Sequence, residues 1–182
     1  MAIPHGYSIQ AAEARHIPFL NAIELAAAAI FPPGVIPEAM RSDRMPVAVL
    51  AQAVDEGRLW VALKDEGQPV GYVLLRIIDG SALLAQIDVH PSHARKGLGA
   101  ELVRQVIASA KAQGFADLYL TTFTHVRWNA PFYAGLGFSI IPEPEQPPFI
   151  RDTLTEEKRR GLEHRAAMRL ELSAPSPVTG RL

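Results

Sequence analysis

The chain has 182 residues, a formal net charge of −1, 48% hydrophobic and 20% charged residues, and no cysteine. That length and balance predict one globular domain with a sizeable core. They exclude disulfides, thiolate metal sites and a Cys nucleophile, and leave no general attraction to nucleic acid or an anionic membrane surface.

The opening MAIPHGYSIQ has no basic region leading into a long apolar stretch, so no signal peptide is expected. The richest apolar run, ELAAAAIF, is too short to span a bilayer, and a cytoplasmic location is the expectation. YSIQ, from Tyr7, opens a sheet. Arg15 to Ile30 reads as a helix, because Ile17, Leu20, Ile23, Ala27 and Ile30 recur at helical spacing. FPPGVIP must be a loop, since prolines at 32, 33 and 37 block regular pairing. After the polar MRSDRM, Pro46 starts a short helix that runs to about Asp55 and stops at Gly57.

Three strand-like segments follow: Arg58 to Leu63, Val70 to Ile78 and Leu83 to Val89, joined by the turns EGQP and DGS. Such short turns predict an antiparallel meander. VGYVLLRII is almost continuously apolar, which suits a strand covered on both faces. Beyond Gly97, the residues Leu98, Leu102, Val103, Val106, Ile107 and Ala110 form one face of an amphipathic helix that Gly114 closes. ADLYLTTF is a strand, WNAPFYAGLG a short helix and FSII another strand. PEPEQPP is a proline-rich loop. TLTEEKRRGLEH carries a helix start signal at Thr155, which acidic residues follow. RAAMRLEL is the last strand, and SAPSPVTGRL a polar tail expected to be disordered over 173–182. The order predicts a mixed α/β domain over 1–172, with helices on the sheet faces.

HPSHARKGLGAEL places two glycines at a strand-to-helix junction. A helix start exposes unpaired N–H groups and the positive end of the dipole, and glycines let an anion approach them. Arg95 and Lys96 add positive charge there. The stretch is not a Walker motif, because no G-K-[ST] follows, and it is not GxGxxG. Taken alone, it is equally a phosphate cradle or a plain turn.

The pattern V-x-P, then R-x-G-x-G, a helix, a strand and N-x-x-F-Y-x-x-L-G-F resembles the GNAT superfamily of acetyl-CoA-dependent N-acetyltransferases, over about Tyr7 to Leu172. The resemblance implies a central, mostly antiparallel sheet of six to seven strands, splayed at the cofactor loop. It implies that the backbone from Arg95 through Lys96, Gly97, Leu98 and Gly99 to Ala100 wraps the pyrophosphate of coenzyme A. It also implies that Ile87, Asp88 and Val89 bond the pantetheine arm as an added strand, beside a β-bulge. Tyr133 is then the acid at the departing thiolate; its other role is a packed aromatic beside Phe132 and Phe138. The implied reaction moves an acetyl group to a primary amine of a small molecule or peptide by direct attack on the thioester, which suits a chain without Cys. Asp88 is the local carboxylate for the general base; His125 and water are alternatives.

Two positions depart from the family pattern. Ala94 stands where the family usually has Gln or Arg, so Arg95 or the backbone alone must serve. Val126 stands where the family's asparagine usually sits, and Asn129 either contacts the cofactor or caps the WNAPFY helix. FPPGVIP and MRSDRM would cover the acceptor side, with Phe31 and Met45 as its walls, while Trp128 is expected in the core. The alternative function is an acyl-CoA-binding module without turnover. A homodimer through the sheet edge or the last strand is a further expectation.

Overall fold

Short turns join the early strands, so neighbours in sequence pair in space. The computed structural model describes residues 3–65 and 67–172; the tail expected at 173–182 lies outside the described residues. Strands β1 (Tyr7–Ala11), β2 (Leu59–Lys64), β3 (Gln68–Ile78) and β4 (Ser81–Val89) form the antiparallel meander. Then come β5 (Asp117–Phe123), β6 (Ser139–Ile140) and β7 (Arg165–Glu171), giving one seven-stranded sheet in the order β1-β2-β3-β4-β5-β7-β6. Among the named strands of the described residues, only the β4–β5 pair is parallel, because a helical crossover joins them.

Five helices cover the sheet: α1 (Ile17–Ala28), α2 (Val47–Asp55), α3 (Leu98–Ala112), α4 (Ala130–Ala134) and α5 (Pro148–Arg159). Alternation along β2 decides the faces. Leu59, Val61 and Leu63 pack with Leu20, Ile23 and Leu50 of α1 and α2. Trp60 and Ala62 point the other way, to Leu102, Val103 and Val106 of α3. Leu83 and Ala167 join Phe149 and Ile150 of α5. The central strand β3 is buried from Pro69 to Leu75, as its unbroken apolar run requires.

Three expectations are corrected. The last helix begins at Pro148, not at Thr155. Proline suits the first turn because its missing N–H would be unpaired there, and Phe149 and Ile150 anchor that turn in the core. Thr155 sits in mid-helix and returns its hydroxyl to the Arg151 carbonyl at 2.7 Å. Ile30 lies beyond the end of α1 and is exposed. Trp128 is 46% exposed and lies against Phe31 instead of entering the core.

Gly71 fixes how closely β3 and β4 approach. A Cβ at Gly71 would stand 2.9 Å from the Asp88 carbonyl oxygen and 3.1 Å from Val89 Cγ2. Gly71→Ala is therefore expected to destabilise the fold by about 1–3 kcal/mol through overpacking. A thermal melt followed by circular dichroism checks this, and an unchanged midpoint would refute it.

Candidate active site

The site starts from a failure of pairing. β4 and β5 pair only at Ala82–Leu118 and Leu83–Tyr119, so β4 beyond Leu83 has no strand partner on that side. A bulge helps to turn it away: Leu74 pairs with Gln86 and Leu75 with Leu84, which leaves Ala85 as the extra residue. The opening is continuous with a cavity of about 550 Å³ that joins the two faces of the sheet. Glu24 of α1 lines it from one face and Tyr133 of α4 from the other.

Register sets what β4 presents. Asp88 pairs with Tyr72 and Gln86 with Leu74, on the α1 side; Ile87 and Val89 point to the α3 core. The Gln86 amide Nε2 donates to Asp88 Oδ2 at 2.6 Å. Burial, helped by the nearby Glu24 charge, pushes the Asp88 carboxyl up to about 8, against the Gln86 hydrogen bond. Burial likewise raises Glu24, whose Oε2 accepts the Met45 N–H at 2.9 Å. Tyr72 is fully buried, and its hydroxyl lies beside both carboxylates outside hydrogen-bond geometry with either. Burial and those two charges push the Tyr72 hydroxyl far up.

Tyr133 is 9% exposed, packs edge-on against Phe132 and Phe138, and lines the cavity. Burial and then the Asp88 charge raise its hydroxyl, while Arg165 opposes them. The far wall is a satisfied ion pair. Arg165 donates to both Glu157 oxygens at 2.9 Å and to Thr121 Oγ1 at 3.1 Å, and its guanidinium lies over the Phe123 ring at 4.5 Å. At the rim, Arg160 pairs with Asp43 and ties α5 to the α1–α2 connection.

The glycine loop adjoins this cavity without lining it. Arg95 (φ 58°) and Gly97 (φ 82°) both adopt the left-handed region, and α3 begins at Leu98. Among the described residues, the backbone N–H groups from Arg95 to Ala100 have no hydrogen-bond acceptor. Arg95, Lys96 and Gly97 are exposed. The loop packs on the chain neighbours of two lining residues: a Cβ on Gly99 would be 3.6 Å from Phe132 Cζ, beside Tyr133, and 4.0 Å from Val89 Cγ2, beside Asp88.

Of the residues singled out from the sequence, Ile87, Asp88, Asn129, Tyr133, Phe31 and Met45 line one cavity. Val89 and His125 lie outside its lining: Val89 is near Gly99 of the loop, and His125 is exposed beside His164 and Phe123. Asn129 occupies the N-cap position of α4, but its side chain makes no capping bond and faces the cavity. Glu24, Tyr72 and the Arg165–Glu157 pair were not anticipated. The available signal for Glu24 was the one charged residue of a mostly apolar helix, adjoining the buried row Leu20, Ile23, Ala27.

Comparison with known proteins agrees with this architecture. The acetyltransferase (GNAT) family model matches residues 25–138. Two mouse proteins, N-acetyltransferase family 8 members 3 and 7, are each 35% identical over 85 residues, or 43% of this chain and 37% of theirs. The chain thus spans little more than a third of the length of these curated relatives. Among solved structures, N-acetylglutamate synthase from Neisseria gonorrhoeae, complexed with coenzyme A and N-acetyl-glutamate, superposes with a TM-score of 0.68 at 18% identity, covering 91% of this chain and 35% of that one. PaiA N-acetyltransferase from Thermoplasma acidophilum, in complex with coenzyme A, gives 0.65 at 15% identity, covering 91% and 98%. A GNAT-family acetyltransferase from Staphylococcus aureus gives 0.65 at 17%, covering 91% and 99%. The structural likenesses concern the fold, and the family match takes in both the glycine loop and the tyrosine segment: the chain belongs to the acetyltransferase (GNAT) family.

Proposed function

We propose that the protein is an acetyl-CoA-dependent N-acetyltransferase acting on a primary amine. The observation that carries this reading is the gap between β4 and β5. It sets a run of unpaired loop amides beside a cavity that Tyr133 and Asp88 both line, with the Tyr133 hydroxyl in reach of the Asp88 charge. The residues fit coenzyme A on two counts. Unpaired N–H groups at a helix start suit a pyrophosphate, and an unpaired strand edge suits the amides of pantetheine. Arg95 to Ala100 would hold the first, and Ile87, Asp88 and Val89 the second, with Asn129 at the cavity wall. Bound acetyl-CoA supplies the thioester.

The chain's own groups then handle the protons. As an ammonium the acceptor cannot attack, so a base must take its proton. Asp88, raised to about 8, is matched to that task near neutral pH. Attack by the amine nitrogen would form the new C–N bond as the C–S bond breaks, leaving the electron pair on sulfur. The Tyr133 hydroxyl, held protonated by burial, is the donor available to that sulfur. Calorimetric titration with coenzyme A and release of free thiol over an amine panel test this reading. Coenzyme A binding without transfer to any amine would instead mark a binding module.

The loop yields a contrast. Gly97 needs a left-handed backbone, which costs an L residue about 1–2 kcal/mol. Gly97→Ala is expected to weaken coenzyme A binding about tenfold. At Gly99 the added Cβ meets only ordinary contacts, so Gly99→Ala should stay within about twofold of the parent. Calorimetry on both variants checks the pair; equal losses would argue against a backbone cradle shaped by Gly97.

A further inference from the structure

Resting on the acyl-transfer reading, the charges and the aromatic surface of the cavity narrow the acceptor. We infer that it is a small amine with a single cationic head and an apolar, preferably aromatic, body, and that Glu24 is the residue selecting that head.

Charge comes first. Glu24, Asp43, Asp88 and Glu157 line the cavity, against Arg44, Arg160 and Arg165. Asp43 is paired with Arg160 and Glu157 with Arg165. Arg44 is turned to backbone, its Nη1 donating to the carbonyls of Arg41 and Asp43. What is left is the Glu24–Asp88 pair against Arg44, whose charge also acts on Glu24, and with Asp88 ionised this is an excess of one carboxylate over the guanidiniums. A single ammonium neutralises that excess. A carboxylate on the same molecule would be repelled by the pair and would find two of the three guanidiniums already committed.

The pair is more than an acidic cluster. Near both carboxylates lies the Tyr72 hydroxyl, fully buried and without a partner of hydrogen-bond geometry among the described residues. A buried donor left unpaired costs free energy. The cost is relieved when a neighbouring carboxylate is held ionised and accepts a hydrogen bond from that hydroxyl. An ammonium beside Glu24 and Asp88 would hold them so. The Glu24 carboxylate is anchored for the purpose, because its Oε2 takes the Met45 N–H while Oε1 has no partner among the described residues.

The body of the acceptor meets a different surface. Phe31 lines the cavity with Ile36, Met40 and Leu162. Its ring lies 5.7 Å from Phe123 and 5.9 Å from Trp128, whose exposed face extends the aromatic wall past the rim. Such a wall offers an aromatic group offset or edge-on packing, and it offers a second ammonium no carboxylate. The volume, about 550 Å³, suits a small molecule.

Three probes separate the features. Phenylethylamine has the ring and one ammonium; phenylalanine adds only a carboxylate; 1,4-diaminobutane replaces the ring with a second ammonium. With acetyl-CoA saturating, kcat/KM is expected to be at least tenfold higher for phenylethylamine than for either of the others. Glu24→Gln keeps an acceptor for the Met45 N–H, so its thermal midpoint should hold while KM for phenylethylamine rises at least tenfold and kcat changes less. Phe31→Ala should raise KM for phenylethylamine but not for ethylamine. Equal or better use of phenylalanine or diaminobutane, or an unchanged KM in Glu24→Gln, overturns this inference and leaves the acyl-transfer reading standing. Transfer to no amine at all overturns both.

Discussion

Tyr133→Phe is expected to lower kcat about 100-fold while the dissociation constant for coenzyme A stays within about twofold. The first figure follows from removing one positioned donor from a water-poor site. The second follows from packing: the ring stays, and its edge-on contacts with Phe132 and Phe138 are made by carbon. The direction of the hydroxyl's shift sharpens its role. A thiol ordinarily titrates near about 8.5, and burial and Asp88 hold Tyr133 well above the ordinary phenol value. Complete transfer of that proton to a thiolate of ordinary basicity is therefore uphill. On the proposed reading, the hydroxyl would serve first as a hydrogen-bond donor to the developing thiolate, and its proton would move as the ammonium's proton leaves. A consequence is that the Tyr133 hydroxyl imposes no alkaline limb of its own on kcat below about pH 10. Rapid-quench measurement of the acyl-transfer step in Tyr133→Phe checks the magnitude. Equal turnover would reduce Tyr133 to a packed aromatic.

The parts of this site written in local chemistry were legible. Gly97 sits where the chain turns left-handed into α3, and the apolar row from Leu98 to Ala110 faces the sheet, both as periodicity and glycine placement imply. The meander followed from short turns between apolar runs. What local chemistry does not encode is depth and company. Glu24 looked like one polar residue on a helix, and Tyr72 like one aromatic in an apolar strand; only the register between β3 and β4, and the seat of α1 on them, bring their polar ends beside Asp88. Trp128 failed the opposite way. Its size suggested the core, but the positions buried around it belong to Val126 and Ala130, and the indole was left for the rim. The α5 start was misplaced because a proline-rich run reads as loop, although Pro148 is itself a suitable first helical residue. The bulge that frees Ala85 has no local signature in LLAQIDV.

Asp88→Asn is expected to separate activity from stability, with opposite signs. In the folded protein burial pushes the carboxyl up to about 8, whereas in an unfolded chain it keeps its ordinary 3.8. Between those values the native state binds a proton that the unfolded state has lost. Stability therefore falls as pH rises through that window, with a slope of at most about 1.4 kcal/mol per pH unit from this group. The penalty is smallest below about pH 4 and complete above about pH 8. Asparagine carries no such penalty and still offers Oδ1 to the Gln86 amide. The variant should thus melt higher than the parent at pH 8.5, by at least about 2–4 °C, which corresponds to roughly 1 kcal/mol in a chain of this size. Its advantage should shrink steadily toward pH 5. Activity moves the other way. With the proton acceptor gone, kcat/KM should fall about 100-fold or more, and the rise in kcat/KM centred near pH 8 in the parent should vanish. An acceptor amine titrating above 9 keeps that limb attributable to the enzyme. Parallel melts and pH–rate profiles decide the matter. A higher melting point with undiminished turnover would make Asp88 a strained structural group and pass the base to water. A lower melting point at pH 8.5 would mean that the buried charge stabilises the fold, and that the Glu24–Tyr72–Asp88 cluster is already paired without an acceptor.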